Sequence, residues 1–189
     1  MRAAHSSRFA PKSLRRCYTL IELLLVCAIL GIAGTLLIPN IVGRDIMACQ
    51  AAVRLIIGDI SFGQADALAH QEIRRIHFND DGSGYSISRI SQAQLAQAFD
   101  PDTADYIEDP LAGGPYIVNL VTDRRFSGVT ISSVNLENGG RDLHFDPLGG
   151  VVDTSNGPGT GGFIIVSSAN DSYKILVSPF TGKLTVQQQ

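Results

Sequence analysis

The sequence predicts an α+β protein in which one long N-terminal helix carries a β-rich domain. Three observations lead there. Residues Tyr18–Ile38 form an apolar run with a single charge, Glu22, and an amphipathic pattern continues from Ile41 to about His70. After Gln71 the apolar period changes from three-to-four residues to two. Most of the 19 glycines lie beyond position 80, where they punctuate short strand-like runs. The chain therefore divides into a leader (1–17), a helix (18–70, membrane-spanning over about 18–40) and a globular β-rich domain (71–189).

The leader holds Arg2, Arg8, Lys12, Arg15 and Arg16 with no acid. The other ten Lys/Arg stand against all 18 acids, so the body carries a net charge of −8. That balance offers no electrostatic reason to bind nucleic acid, since phosphate contacts need several clustered Lys or Arg. The C-terminal run Gly182–Gln189 holds a single Lys.

The run Tyr18–Asn40 is long enough for a bilayer-crossing helix, which needs about 20 apolar residues. It exceeds the core of a secretory signal, contains Glu22 and ends in Ile38-Pro39-Asn40, so a signal peptide fits poorly. A lipoprotein signal also fits poorly, because Leu14-Arg15-Arg16 precedes Cys17. The basic leader orients the N-terminus inside by the positive-inside rule and leaves the remaining chain outside the cytoplasm. A carboxylate in such a segment is costly and asks for a partner.

From Ile46 the apolar residues Cys49, Val53, Ile56, Ile57, Ile60 and Leu68 recur at helical spacing. One continuous helix of about 50 residues, ~75 Å long, is expected. Pro39 is expected to kink it, and Gly58 and Gly63 to weaken it. Cys27 and Cys49 would stand about 33 Å apart along that helix, too far to bridge within one chain.

Strands are expected at Ile73–Phe78 and Tyr85–Ile90, joined through Asn79–Gly84. Ser91–Phe99 is Ala/Gln-rich and reads as a short helix. Asp100–Pro115, with five acids and three prolines, reads as a surface loop. Further strands are expected at Tyr116–Thr122, Val129–Leu136, Leu143–Asp146, Val151–Val152, Phe163–Ser168, Tyr173–Ser178 and Lys183–Val186. Short strands with Gly turns indicate an antiparallel sandwich or curled sheets.

Arg15-Arg16-Cys17-Tyr18-Thr19-Leu20-Ile21-Glu22-Leu23-Leu24 resembles the class III signal of type IV pilins and type II secretion pseudopilins. The resemblance implies a type IV pilin-like fold and cleavage between Cys17 and Tyr18 by a prepilin peptidase/methyltransferase. It further implies N-methylation of Tyr18, an assembly role for Glu22, and helix loosening at Gly31 and Pro39. Most members have Gly before the cut, where this chain has Cys17. Ala51–Ala67, Phe145-Asp146-Pro147-Leu148-Gly149 and Thr181-Gly182-Lys183-Leu184 are similar to the GspH/FimT group of minor pseudopilins and minor pilins.

No catalytic residue or cofactor is expected. His70, His77 and His144 match no zinc spacing, there is no Gly-x-Ser-x-Gly elbow, and Asp80-Asp81-Gly82-Ser83 reads as a hairpin turn lacking the other calcium ligands. His77 and His144 are expected at surface or half-buried strand positions. The resemblance implies a structural subunit of the periplasmic pseudopilus of a type II secretion system. It would sit in the inner membrane with its C-terminal domain in the periplasm, its partners being other pseudopilins and candidate secreted cargo. Two alternatives remain open at this stage: a minor type IV pilin that primes pilus assembly, and a membrane-anchored periplasmic enzyme or sensor.

Overall fold

The computed structural model describes residues 19–189, with side chains left undescribed at 35–45. One helix, α1, spans Leu20–His70. Ten strands follow: β1 Ile73–Phe78, β2 Gly84–Ile90, β3 Asp105–Tyr106, β4 Ile117–Asn119, β5 Thr130–Leu136, β6 Asp142–Phe145, β7 Val151–Val152, β8 Gly162–Ser167, β9 Ser172–Val177 and β10 Leu184–Gln188. The protein is α+β, with the helix packed on antiparallel sheets. It divides into two compact units, Met1–Asn40 and Ile41–Gln189.

In the first unit the described helix is apolar and open. Leu20, Ile21, Leu23, Leu24, Leu25, Val26, Ile29, Leu30 and Ile32 are all exposed. Gly31 has open space around it, with nothing within 4 Å of where a Cβ would stand. Pro39 lies outside the described side chains, and the kink expected there with it.

In the second unit the helix lines one core. Cys49, Ala52, Val53, Ile56, Ile60 and Ala67 are buried together with Ile76, Phe78, Tyr85, Ile87, Leu143, Phe145, Ile164, Val166, Ile175 and Val177. Ile46–His70 is the described helical segment long and apolar enough to cross a membrane. Its apolar face is consumed by this core, so burial in the domain accounts for its composition. Gly63 lets the helix approach the sheet closely: a Cβ there would stand 3.1 Å from Ile76 Cδ1.

The first sheet has the order β3-β2-β1-β6-β7, with β4 also paired to β2; the second has the order β10-β9-β8-β5. All pairings are antiparallel. The near face of the first sheet carries Ile76, Phe78, Tyr85, Ile87, Leu143 and Phe145 toward α1. Its far face carries Arg75, His77, Ser86, Ser88, Asp142 and His144, and a smaller cluster of Ile73, Ile90, Leu95 and Val152 closes over it.

Two expectations need correction. Ser91–Phe99 holds only a 3₁₀ turn at Gln92–Gln94, because Arg75 Nη2 takes the Gln94 and Gln97 carbonyls at 2.6 and 3.0 Å. An α-helix over this stretch would have needed the Gln94 carbonyl for the Ala98 amide. Asp100–Pro115 contains β3 and a bridge between Glu108 and Pro115, because Arg89 ties Asp105 to β2 at 2.8 Å.

Candidate functional site

Cys17 and Tyr18 lie outside the described residues. The first residue described is Thr19, which immediately precedes α1. Its carbonyl accepts from the amides of Glu22 (3.1 Å) and Leu23 (3.2 Å), and its Oγ1 accepts from Glu22 N at 3.4 Å. Thr19 is therefore the N-cap, and Thr-Leu-Ile-Glu has the spacing of a capping box. Glu22 stands in the first turn, where the unsatisfied amides of a helix favour negative charge. The sequence reading assigned Glu22 to assembly and missed this local role, although the Thr-x-x-Glu spacing announces it. Cys27 is exposed, and Cys49 is buried with its thiol donating weakly to the Val166 carbonyl at 3.8 Å.

A polar row crosses the far face of the first sheet. Antiparallel register sets Ser86 opposite His77, and His77 opposite Asp142. His77 Nδ1 lies 2.6 Å from Asp142 Oδ1, and the Phe99 ring stacks on the imidazole at 4.0 Å. A serine, a histidine and an aspartate thus share one row on three adjacent strands. Nucleophilic catalysis needs a reachable hydroxyl within hydrogen-bond range of the imidazole. Ser86 is buried and its Oγ has no hydrogen-bond partner, so the row does not meet that requirement.

Beside it, Arg75 Nε donates to His144 Nε2 at 3.1 Å. His144 is 1% exposed, which corrects its expected surface or half-buried place; half-buried His77 conforms. Burial lowers the His144 pKa to about 4, with Asp142 opposing and Arg75 reinforcing the shift. Accepting at Nε2 requires the neutral ring with its proton on Nδ1, and that atom is buried without a partner. His70 is exposed at the end of α1, 3.1 Å from Asp66 Oδ1.

A second buried polar group sits between helix and sheet. Asp59 is 7% exposed and accepts from Tyr85 Oη at 2.5 Å. Burial raises its carboxyl pKa, and hydrogen bonds from Tyr85 and Tyr116 partly offset the rise. Asp59 opens onto a groove of about 610 Å³ lined by Leu55, Asp109, Leu111, Tyr116, Ile117 and Phe126, among others. Among the described residues, no group of three or more His, Cys, Asp or Glu is placed to hold a metal ion.

No family model matches this chain, and neither a curated protein nor a solved structure matches it.

Proposed function

We propose that this chain is a minor pseudopilin: a structural subunit, without catalytic activity, of the periplasmic pseudopilus of a type II secretion system. The observation that supports the reading is the contrast along α1. From Leu20 to Ile32 the large apolar side chains are 49–80% exposed, whereas from Cys49 to Ala67 the apolar face is buried in the domain. Exposed apolar surface of that kind needs lipid or the helices of neighbouring subunits around it.

In this reading the first half of the helix crosses the inner membrane and the domain lies in the periplasm. Cleavage after Cys17 frees the α-amine of Tyr18, about one helical turn from Glu22. An amine–carboxylate pair removes much of the cost of either charge in lipid. Formed between neighbouring subunits, it sets their axial register in the filament. Other pseudopilins, the prepilin peptidase/methyltransferase and candidate cargo are the partners.

The test is mass spectrometry of the membrane-extracted protein from cells that contain the peptidase. An N-terminus at methylated Tyr18 is expected. An intact Met1 would overturn the reading.

A further inference from the structure

Two surfaces of the domain complement one another. The first is an exposed apolar knob. Leu148 in the β6–β7 turn is 79% exposed and Phe180 in the β9–β10 turn is 63% exposed. Both turns are pinned by one side chain, since Gln64 Nε2 donates to the Gly149 carbonyl (2.6 Å) and the Thr181 carbonyl (3.0 Å). Val151 N adds a bond to the Phe180 carbonyl at 3.0 Å, joining the turns directly. Phe180 has φ +60°, the left-handed region that bulky residues avoid. A strained backbone that holds an aromatic ring out in water is a signature of a functional surface. The same turn carries Lys183, which forms no ion pair among the described residues.

The second surface is the groove beside Asp59. Its apolar walls include Leu111, Ile117 and Phe126, with Leu111 95% and Ile117 51% exposed. Its acids are Asp59, Asp109 and Asp123. Arg125 pairs Asp123 at 2.6 Å; Asp109 Oδ1 accepts from the Leu111 and Ala112 amides at 2.8 and 3.1 Å, and no basic side chain among the described residues pairs it. The groove thus offers apolar walls with a carboxylate held by backbone amides and, among the described residues, by no cation; the knob offers apolar side chains with a cation that pairs no acid among them.

The helix sets their relative placement. At about 100° per residue, Leu55 and Asp59 on the groove side lie roughly opposite Gln64 on the knob side. Two complementary patches on different sides of one domain make a heterologous contact, which propagates from copy to copy instead of closing on itself.

We propose that the knob of Leu148, Phe180 and Lys183 docks into the Asp59–Asp109 groove of a second copy of this chain, head to tail. This rests on the filament reading for its biological setting, though the contact itself does not require it.

The test uses the full chain in membranes. Leu148→p-benzoylphenylalanine places a photocrosslinker on the knob, and mass spectrometry maps the crosslinked peptide. Crosslinks to residues 109–126 of a second copy are expected. Phe180→Gly should cut their yield at least tenfold without lowering the unfolding midpoint, because Gly accepts φ +60° without strain. Crosslinks elsewhere on a second copy, crosslinks only to another protein, no crosslink, or a yield unchanged by Phe180→Gly would each overturn the proposal. The N-terminus is read in the same samples. An intact Met1 beside the expected crosslink would remove the filament reading and leave the contact standing.

Discussion

Tyr85→Phe isolates the bond that fastens α1 to the first sheet. Tyr85 is fully buried, and its ring lies 5.5 Å from that of Phe78. The substitution keeps the ring and its packing and deletes only Oη. What is lost is the 2.5 Å hydrogen bond to Asp59 Oδ2. A hydrogen bond to a charged group contributes about 1.5–3 kcal/mol. Asp59 keeps its bond from Tyr116, which places the expected loss toward the lower half of that range. With a urea slope of about 1–3 kcal/mol/M, the midpoint should fall by on the order of 1 M with unchanged slope. The assay is equilibrium urea unfolding of the full chain in mild detergent, with Asp59→Asn and the double variant completing a cycle. A loss below about 0.5 kcal/mol, or additive single variants, would refute the view that this bond couples helix to sheet.

Two titrations act in opposite directions. His144 has a folded pKa of about 4, below its ordinary 6.5, so its contribution is complete above 6.5 and is lost as pH falls toward 4. About 3 kcal/mol should disappear across that window in thermal or urea unfolding, and His144→Gln should flatten the profile. The Asp59 pKa is raised, so the fold binds that proton more readily than the unfolded chain, and stability falls as pH rises through the folded value. Asp59→Asn should remove that decline, as seen in melts on the same pH series. Gly182→Ala should cost about 1–3 kcal/mol in urea unfolding, since Gly182 has φ +64° and a Cβ would stand 2.8 Å from Phe145 Cε1. On the proposed pseudopilin reading, Glu22→Val should leave membrane insertion intact and block or impair incorporation into filaments; normal incorporation would show that the proposed charge pairing is unnecessary.

The strands were largely legible. Ile73–Phe78 and Val151–Val152 fall where the period of two places them, and the other expected strands shift by a few residues at their ends. The helix was legible too, because its apolar spacing persists through the whole of Cys49–Ala67. Misreadings arose where a distant residue intervened. The Ala/Gln-rich segment after Ser91 has helical propensity, but Arg75 claims its carbonyls. Arg74 and Arg75 would be placed in solvent by residue type. Both are buried, Arg74 against Asp66 (2.5 Å) and Glu72 (3.0 Å), Arg75 against His144 and two carbonyls. The opposed knob and groove left no periodic trace, since each is assembled from turns and helix positions far apart in the chain.

By itself, the amino-acid order determined the basic leader, the apolar run with its single acid, the Thr-x-x-Glu spacing at Thr19 and the change of period after Gln71. These are properties of contiguous residues, set by local chemistry and by the repeat of helix or strand. Only the tertiary structure decided that a serine, a histidine and an aspartate line up in one row beside Phe99, and that Asp59 meets Tyr85. The His77–Asp142 and Asp59–Tyr85 contacts join residues 65 and 26 positions apart. They depend on strand register and helix rotation, which no single segment encodes.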